Sequence, residues 1–235
     1  MSDAPYQFAN YLTVIVDLLG HRNLYQKIAD IPEDESTELP EFTSQVIKFI
    51  QSIEYLKKDV EEYFTCHDSF QSEPPWPEEL REFKEKMAKR ICKIQRFSDG
   101  LVIFVPLRQD ESHFPIGSVY KALGAAAMLL LMSLAKGSPI RGGIAIGSGI
   151  ELDEGELFGP VVGRAHEAES QLAQYPRIVV HPSVAEYVAK HASIDNPKTN
   201  EGKYLKRMGE ICTGMIAHDV DGIPIIVAPD FQTIN

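Results

Sequence analysis

Apolar and polar positions along the chain alternate between strand-like and helix-like spacing. Residues 11–16 (YLTVIV) form a short β-branched run suited to a buried strand; it closes on Asp17, with Gly20 just beyond. Residues 23–28 read as an amphipathic helix start, and residues 31–39, acidic and flanked by Pro32 and Pro40, as a loop. Over 41–64, Phe42, Val46, Phe49, Ile50, Ile53 and Leu56 recur at helical spacing, which predicts a long helix with a charged outer face. Residues 72–77 (SEPPWP) are a rigid connector, and 78–90 a charged helix. The runs 91–97 and 101–106 flank Asp99-Gly100 and predict a hairpin. An apolar helix follows over 118–136, then a glycine-bearing strand over 139–147, with a short partner within 151–158. Residues 161–172 predict a helix opened by Pro160, 177–180 a strand and 183–190 a helix. Residues 192–203 read as a polar loop, and 210–220 with 223–227 as a second hairpin around Asp221-Gly222. The order predicts an α+β fold with a mostly antiparallel central sheet flanked by helices. Residues 1–10 are expected to be a flexible leader and 11–235 a single domain.

Composition narrows the function classes. With 34 acidic and 23 basic residues the net charge is −11, which excludes a chain-wide basic surface for DNA or RNA, though not a local site for one nucleotide. Hydrophobic residues at 44% and charged residues at 24% fit a globular chain. Cys66, Cys92 and Cys212 are odd in number and far apart, forming neither a disulfide framework nor a metal knuckle. The longest apolar run, 124–135, is shorter than the roughly 20 residues of a membrane span and is expected to be a buried helix. The N-terminus has no basic segment followed by an apolar one, so a cytoplasmic protein without membrane or nucleic-acid partners is expected. There is no serine-hydrolase elbow, no P-loop, and no zinc-type histidine pair.

The candidate chemistry is acidic and phosphate-directed. Asp17 ends an apolar strand and Asp99 sits between two others. Each alone suits a cap or a turn. Two carboxylates brought together repel unless a cation lies between them, and a pair of Mg²⁺ or Mn²⁺ ions about 3.5–4 Å apart would use them to clamp a phosphoryl transfer. Arg141, bordered by glycines in its strand, is either a surface residue or a bidentate phosphate ligand. The turn 155–160 (GELFGP) leads into a helix and is either a plain connector or an anion site.

Residues 14–20 (VIVDLLG), 96–100 (RFSDG), 140–147 (IRGGIAIG) and 158–169 (FGPVVGRAHEAE), followed by 175–180 (YPRIVV), occur in the order of class III nucleotide cyclases. Over about residues 11–182 the chain most resembles the bacterial pyrimidine cyclases of antiphage cyclic-nucleotide signalling (Pycsar). The resemblance implies a ferredoxin-like sheet paired head to tail as a homodimer, with active sites at the interface. It implies that Asp17 and Asp99, with the backbone carbonyl of Leu18, bind two divalent ions, Mn²⁺ or Mg²⁺. Leu19, Gly20, His21 and Arg22 would cradle the triphosphate, Arg141 would bind its outer phosphates, and Arg96 would belong to the substrate site. The reaction would turn UTP or CTP into the 3′,5′-cyclic nucleotide and pyrophosphate, a signal read by a separate effector protein.

Purine cyclases of this class carry an asparagine and an arginine where this chain has Gly163 and Glu167; either Arg164 substitutes, or the charge is handled elsewhere, or the site is silent. The base-selecting positions hold Gln95 and Glu156, neither the adenine nor the guanine pair. Either residue could read uracil or cytosine. A silent nucleotide-binding domain and a cyclase of another base, adenine included, are the alternatives.

Overall fold

The computed structural model describes residues 6–20, 38–66, 77–81, 92–97, 100–108, 114–152 and 155–228. The expected helix start at 23–28, the loop over 31–37, the connector 72–76, most of the helix at 78–90, and the site residues His21, Arg22 and Asp99 lie outside the described residues.

Strand β1 (Gln7–Leu18) leads to the long helix α1 (Glu38–Cys66) and then to the hairpin of β2 (Lys93–Phe97) and β3 (Gly100–Pro106). Helix α2 (Pro115–Ala135) connects to β4 (Ile140–Glu151), whose short partner is β5 (Leu157–Phe158). Helix α3 (Pro160–Glu167) widens without a break into a π turn over Ala168–Leu172. Then follow β6 (Ile178–Val180), α4 (Pro182–Ala192), α5 (Asn200–Gly214), β7 (Ile216–His218) and β8 (Pro224–Ile226).

The strand order β2-β3-β1-β4, all antiparallel, with helical connections from β1 to β2 and from β3 to β4, is the ferredoxin-like arrangement of two split βαβ units. Beyond β4 the sheet continues through β6, β8 and β7, with β4 and β6 parallel. The protein is therefore α+β, with a mostly antiparallel sheet flanked by helices. Period-2 alternation sorts the side chains. On one face Leu12, Val14, Val16 and Leu18 join Leu101, Ile103 and Val105 under α1, α2, α4 and α5. On the other, Tyr11, Ile15, Val102, Phe104 and Ala145 pack under α3 and β5. Asp17 and Arg141, at odd positions, fall on this second face.

Several boundaries differ from expectation for identifiable reasons. Strand β1 starts at Gln7 because its first residues pair with Ser148–Glu151 of the long strand β4. Helix α1 takes in Glu38 to Pro40, since a proline in the first turn forfeits no helical hydrogen bond. Of the expected polar loop 192–203 and strand run 210–220, the strand is confined to β7, and residues 200–203 and 210–214 belong to α5. Tyr204, Met208, Ile211 and Cys212 form its buried stripe at helical spacing, and the Thr199 side chain caps it by accepting from the Gly202 amide at 3.1 Å. The apolar helix is also longer than the run 124–135: α2 has 21 residues and is long and apolar enough to cross a membrane, but 67% of its most apolar window is buried inside the fold.

Gly100 is not a turn glycine. The register Phe97↔Gly100 puts it at the first position of β3, where a Cβ would meet the Val16 carbonyl oxygen at 2.1 Å. Close backbone approach, not a left-handed φ, is what this position demands.

Candidate active site

The end of the sheet where β1, β3 and β4 meet gathers the candidate chemistry. Asp17 is in register with Gly100 on one side and with Arg141 on the other. The Asp17 carboxylate, partly exposed at 24%, accepts from Arg141 Nη2 at 3.4 Å. Two glycines frame the arginine. A Cβ at Gly142 would meet the Ile15 carbonyl oxygen at 2.6 Å, and one at Gly143 would meet the Ala165 carbonyl oxygen at 2.2 Å and the Glu169 amide at 2.6 Å. Gly143 thus lets α3 and its π turn lie directly on β4, beside Arg141.

That approach brings in Glu169, which the sequence pattern alone does not single out. Its side chain is 3% exposed and lies 2.6 Å from Arg141 Nε and 3.2 Å from His166 Nδ1. A signal was present: Val161, Ala165, Ala168 and Ala173 form the buried stripe of this segment, and Glu169 falls on it. A carboxylate on a buried stripe needs a cation opposite it.

Of the two residues expected to read the base, Gln95 has a defined partner. Gln95 lies on the same sheet face as Asp17, and its Oε1 accepts from the Leu157 amide at 3.1 Å, the residue after half-buried Glu156. This bond orients the side chain, occupying one lone pair of Oε1 and turning the –NH₂ toward a ligand as donor. Nearby, buried Glu151 pairs with Lys93 and hydrogen-bonds Tyr11; burial, with the Glu151 charge next, raises the Tyr11 phenol above its usual pKa.

Other expected residues are placed elsewhere. Arg96 points to the opposite face, where Nη2 pairs with Glu54 of α1 at 2.8 Å. The Leu19 amide donates to the Pro139 carbonyl at 2.8 Å, so it is not free to cradle a phosphate; Gly20, at φ +86°, is the open residue of that turn. Arg164 crosses over Gly147, its Nη1 donating to the Ile146 carbonyl at 3.3 Å. Gly163 and Glu167 are exposed on α3. Arg164 and Glu167 also line a cavity of about 390 Å³ floored by Ala168, Leu172 and Val179, and a second of about 370 Å³ lies between α1 and the end of α2; neither is lined by Asp17 or Arg141.

The donor chemistry suits a hard divalent cation. Asp17 offers carboxylate oxygens at a strand end, with the Leu18 backbone next in the chain, and oxygen sets of this kind take Mg²⁺ or Mn²⁺. Among the described residues no group of three or more His, Cys, Asp and Glu converges on one point. The second expected ligand, Asp99, directly precedes Gly100, the register partner of Asp17.

No protein-family model matches the chain, and no curated protein matches it. Among solved structures it resembles a monomeric guanylyl cyclase domain of the RhoGC fusion protein from the aquatic fungus Blastocladiella emersonii, at 10% identity and TM-score 0.49, over 96% of this chain and 99% of that one. It also resembles the guanylyl cyclase Cya2, at 11% identity and TM-score 0.45, over 99% and 98%. A dimeric guanylyl cyclase domain of the same fungal fusion protein is similar at 14% identity and TM-score 0.43, over 80% and 86%.

Proposed function

We propose that the chain is a nucleotide cyclase, converting a nucleoside triphosphate to its 3′,5′-cyclic monophosphate and pyrophosphate. The observation that carries the reading is the row Gly100–Asp17–Arg141, in register across three strands of a ferredoxin-like sheet, with the Asp17 and Arg141 side chains on one face. Asp17, the Leu18 carbonyl and Asp99 would hold two divalent ions, which when bound supply Lewis acidity to the phosphates and the attacking hydroxyl. Arg141 takes the outer phosphates through its Nη edge and offsets charge on the leaving pyrophosphate. The ribose 3′-oxygen bonds to the α-phosphorus, the bond from that phosphorus to the bridging oxygen breaks, and the hydroxyl proton leaves to solvent.

A pyrimidine substrate is supported by Gln95 and Glu156, and UTP is placed ahead of CTP on the resemblance to Pycsar cyclases alone. With its carbonyl held by Leu157, Gln95 donates; Glu156 accepts. Uracil O4 with N3–H, or cytosine N3 with its amino group, satisfies that pair. On the resemblance to Pycsar cyclases, we place the enzyme in the cytoplasm as a homodimeric second-messenger synthase of antiphage defence, its product read by a separate effector.

A second reading, a silent nucleotide-binding domain, draws on Gly163 and Glu167 and on Arg164 being engaged with Ile146. One assay separates them: the protein with Mn²⁺ and each of ATP, GTP, CTP and UTP, products resolved by chromatography. A cyclic pyrimidine nucleotide, lost in Asp99→Asn and Asp17→Asn, supports the first reading. A cyclic purine corrects the base, and binding without product establishes the silent domain.

A further inference from the structure

Arg141 touches two carboxylates with two different edges. Its Nη2 lies on Asp17, and its Nε lies on Glu169, whose side chain is 3% exposed. The buried contact is close at 2.6 Å but out of hydrogen-bond alignment, and both Arg141 Nε and Glu169 Oε1 are otherwise without a hydrogen-bond partner. It is a charge contact in a poorly hydrated place, where the attraction is least screened. Two local devices create it. The helix widens into a π turn at Ala168–Leu172, a feature frequent at functional sites. Gly143 admits that turn against β4, two residues from Arg141 on the same sheet face.

We propose that Glu169 is a positioning residue for Arg141: it holds the guanidinium by the Nε edge and so presents the Nη edge to the polyphosphate of the substrate. The identity of that anion rests on the cyclase reading above. When a metal-bound phosphate chain arrives, Arg141 exchanges Asp17 for phosphate and keeps Glu169. Only a planar fork serves both carboxylate and phosphate at once; a lysine, a single point charge, serves one.

The test is calorimetric binding of pyrophosphate, with Mn²⁺ present, to the full chain. Arg141→Ala is expected to weaken binding about tenfold, the worth of one charged hydrogen-bonding group. Glu169→Gln keeps the shape and loses the charge; it is expected to lose a similar factor alone and nothing further when combined with Arg141→Ala. Glu169→Asp keeps the charge and loses the shape, and it is expected to recover affinity over Glu169→Gln; a packing role would rank the two the other way. Should Glu169→Gln fail to fold, Arg141→Lys carries the test and is expected to bind as weakly as Arg141→Ala. Unchanged affinity in Arg141→Ala overturns the phosphate role of Arg141, and with it the cyclase reading of this residue. Weakened binding in Arg141→Ala with none in Glu169→Gln, or full affinity in Arg141→Lys, overturns the positioning role alone.

Discussion

Two glycines on facing elements have opposite demands. Gly143 lies under α3, and any Cβ there would run into backbone of Ala165 and Glu169, which cannot yield as a side chain can. Gly143→Ala is expected to cost about 1–3 kcal/mol, read from urea denaturation, and to disturb Arg141 with it. Gly163 sits in the helix itself, and an added Cβ meets nothing within 4 Å. Gly163→Ala is expected to stabilise by about 0.5–1 kcal/mol, since alanine lowers the entropy of the unfolded chain. Thiol chemistry follows burial as well. Burial pushes the Cys92 thiol up to about 12, against a smaller opposing effect of Lys121, and burial raises Cys212 too. Neither is expected to react with a thiol-disulfide reagent at pH 8 until the protein is unfolded.

Elements with strong local signatures were legible in the sequence, and those whose signal is spread thin were not. The β-branched run of β1 and the helical spacing of α1 announce themselves, whereas α5 places its buried residues among glycines, lysines and glutamates that dilute the apolar stripe. The π turn is invisible to any fixed period, and Glu169 showed only as a carboxylate on the apolar stripe running on from α3. The last hairpin was legible as a hairpin, but not what pins it. Arg177, 4% exposed, donates to Asp219 at 2.9 Å, Asp221 at 2.8 Å, the Tyr175 hydroxyl at 2.7 Å and the Leu172 carbonyl at 2.6 Å, so it ties β7 and β8 to the end of the π turn. The Tyr175 hydroxyl, then the Val220 amide and Arg177, hold Asp219 below its ordinary 3.8, and Arg177 first of all holds Asp221 below it. Carboxylates with depressed folded pKa stabilise the fold above their unfolded value and lose that stabilisation as pH falls through the folded one. Melting temperature is therefore expected to drop as pH falls below about 4, and Asp219→Asn is expected to flatten that drop.

At the scale of the whole molecule, the ferredoxin-like order was anticipated through the resemblance that four ordered motifs carry, whereas the pairing of Asp17 with Arg141 emerged only with the register of β1 and β4. What the motifs could not convey was how the site's charge is balanced. Asp17 and Glu169, two carboxylates, face the Arg141 guanidinium, with His166 beside Glu169. The chain around it carries −11. A polyphosphate is thus repelled at long range by the chain, and at close range by the two carboxylates, until cations bind. Chelation with EDTA is expected to weaken pyrophosphate binding itself to a small residual level, not turnover alone. Asp17→Asn removes a carboxylate charge beside Arg141 and, with it, a proposed metal ligand. It is expected to weaken binding in the presence of Mn²⁺ and to strengthen the residual binding in EDTA, where Arg141 is no longer engaged by Asp17. Calorimetry of the two proteins in the two buffers reads all four values. Equal binding with and without Mn²⁺ in the unsubstituted protein would mean that the anion is held without metal, and that Asp17 serves only to seat Arg141.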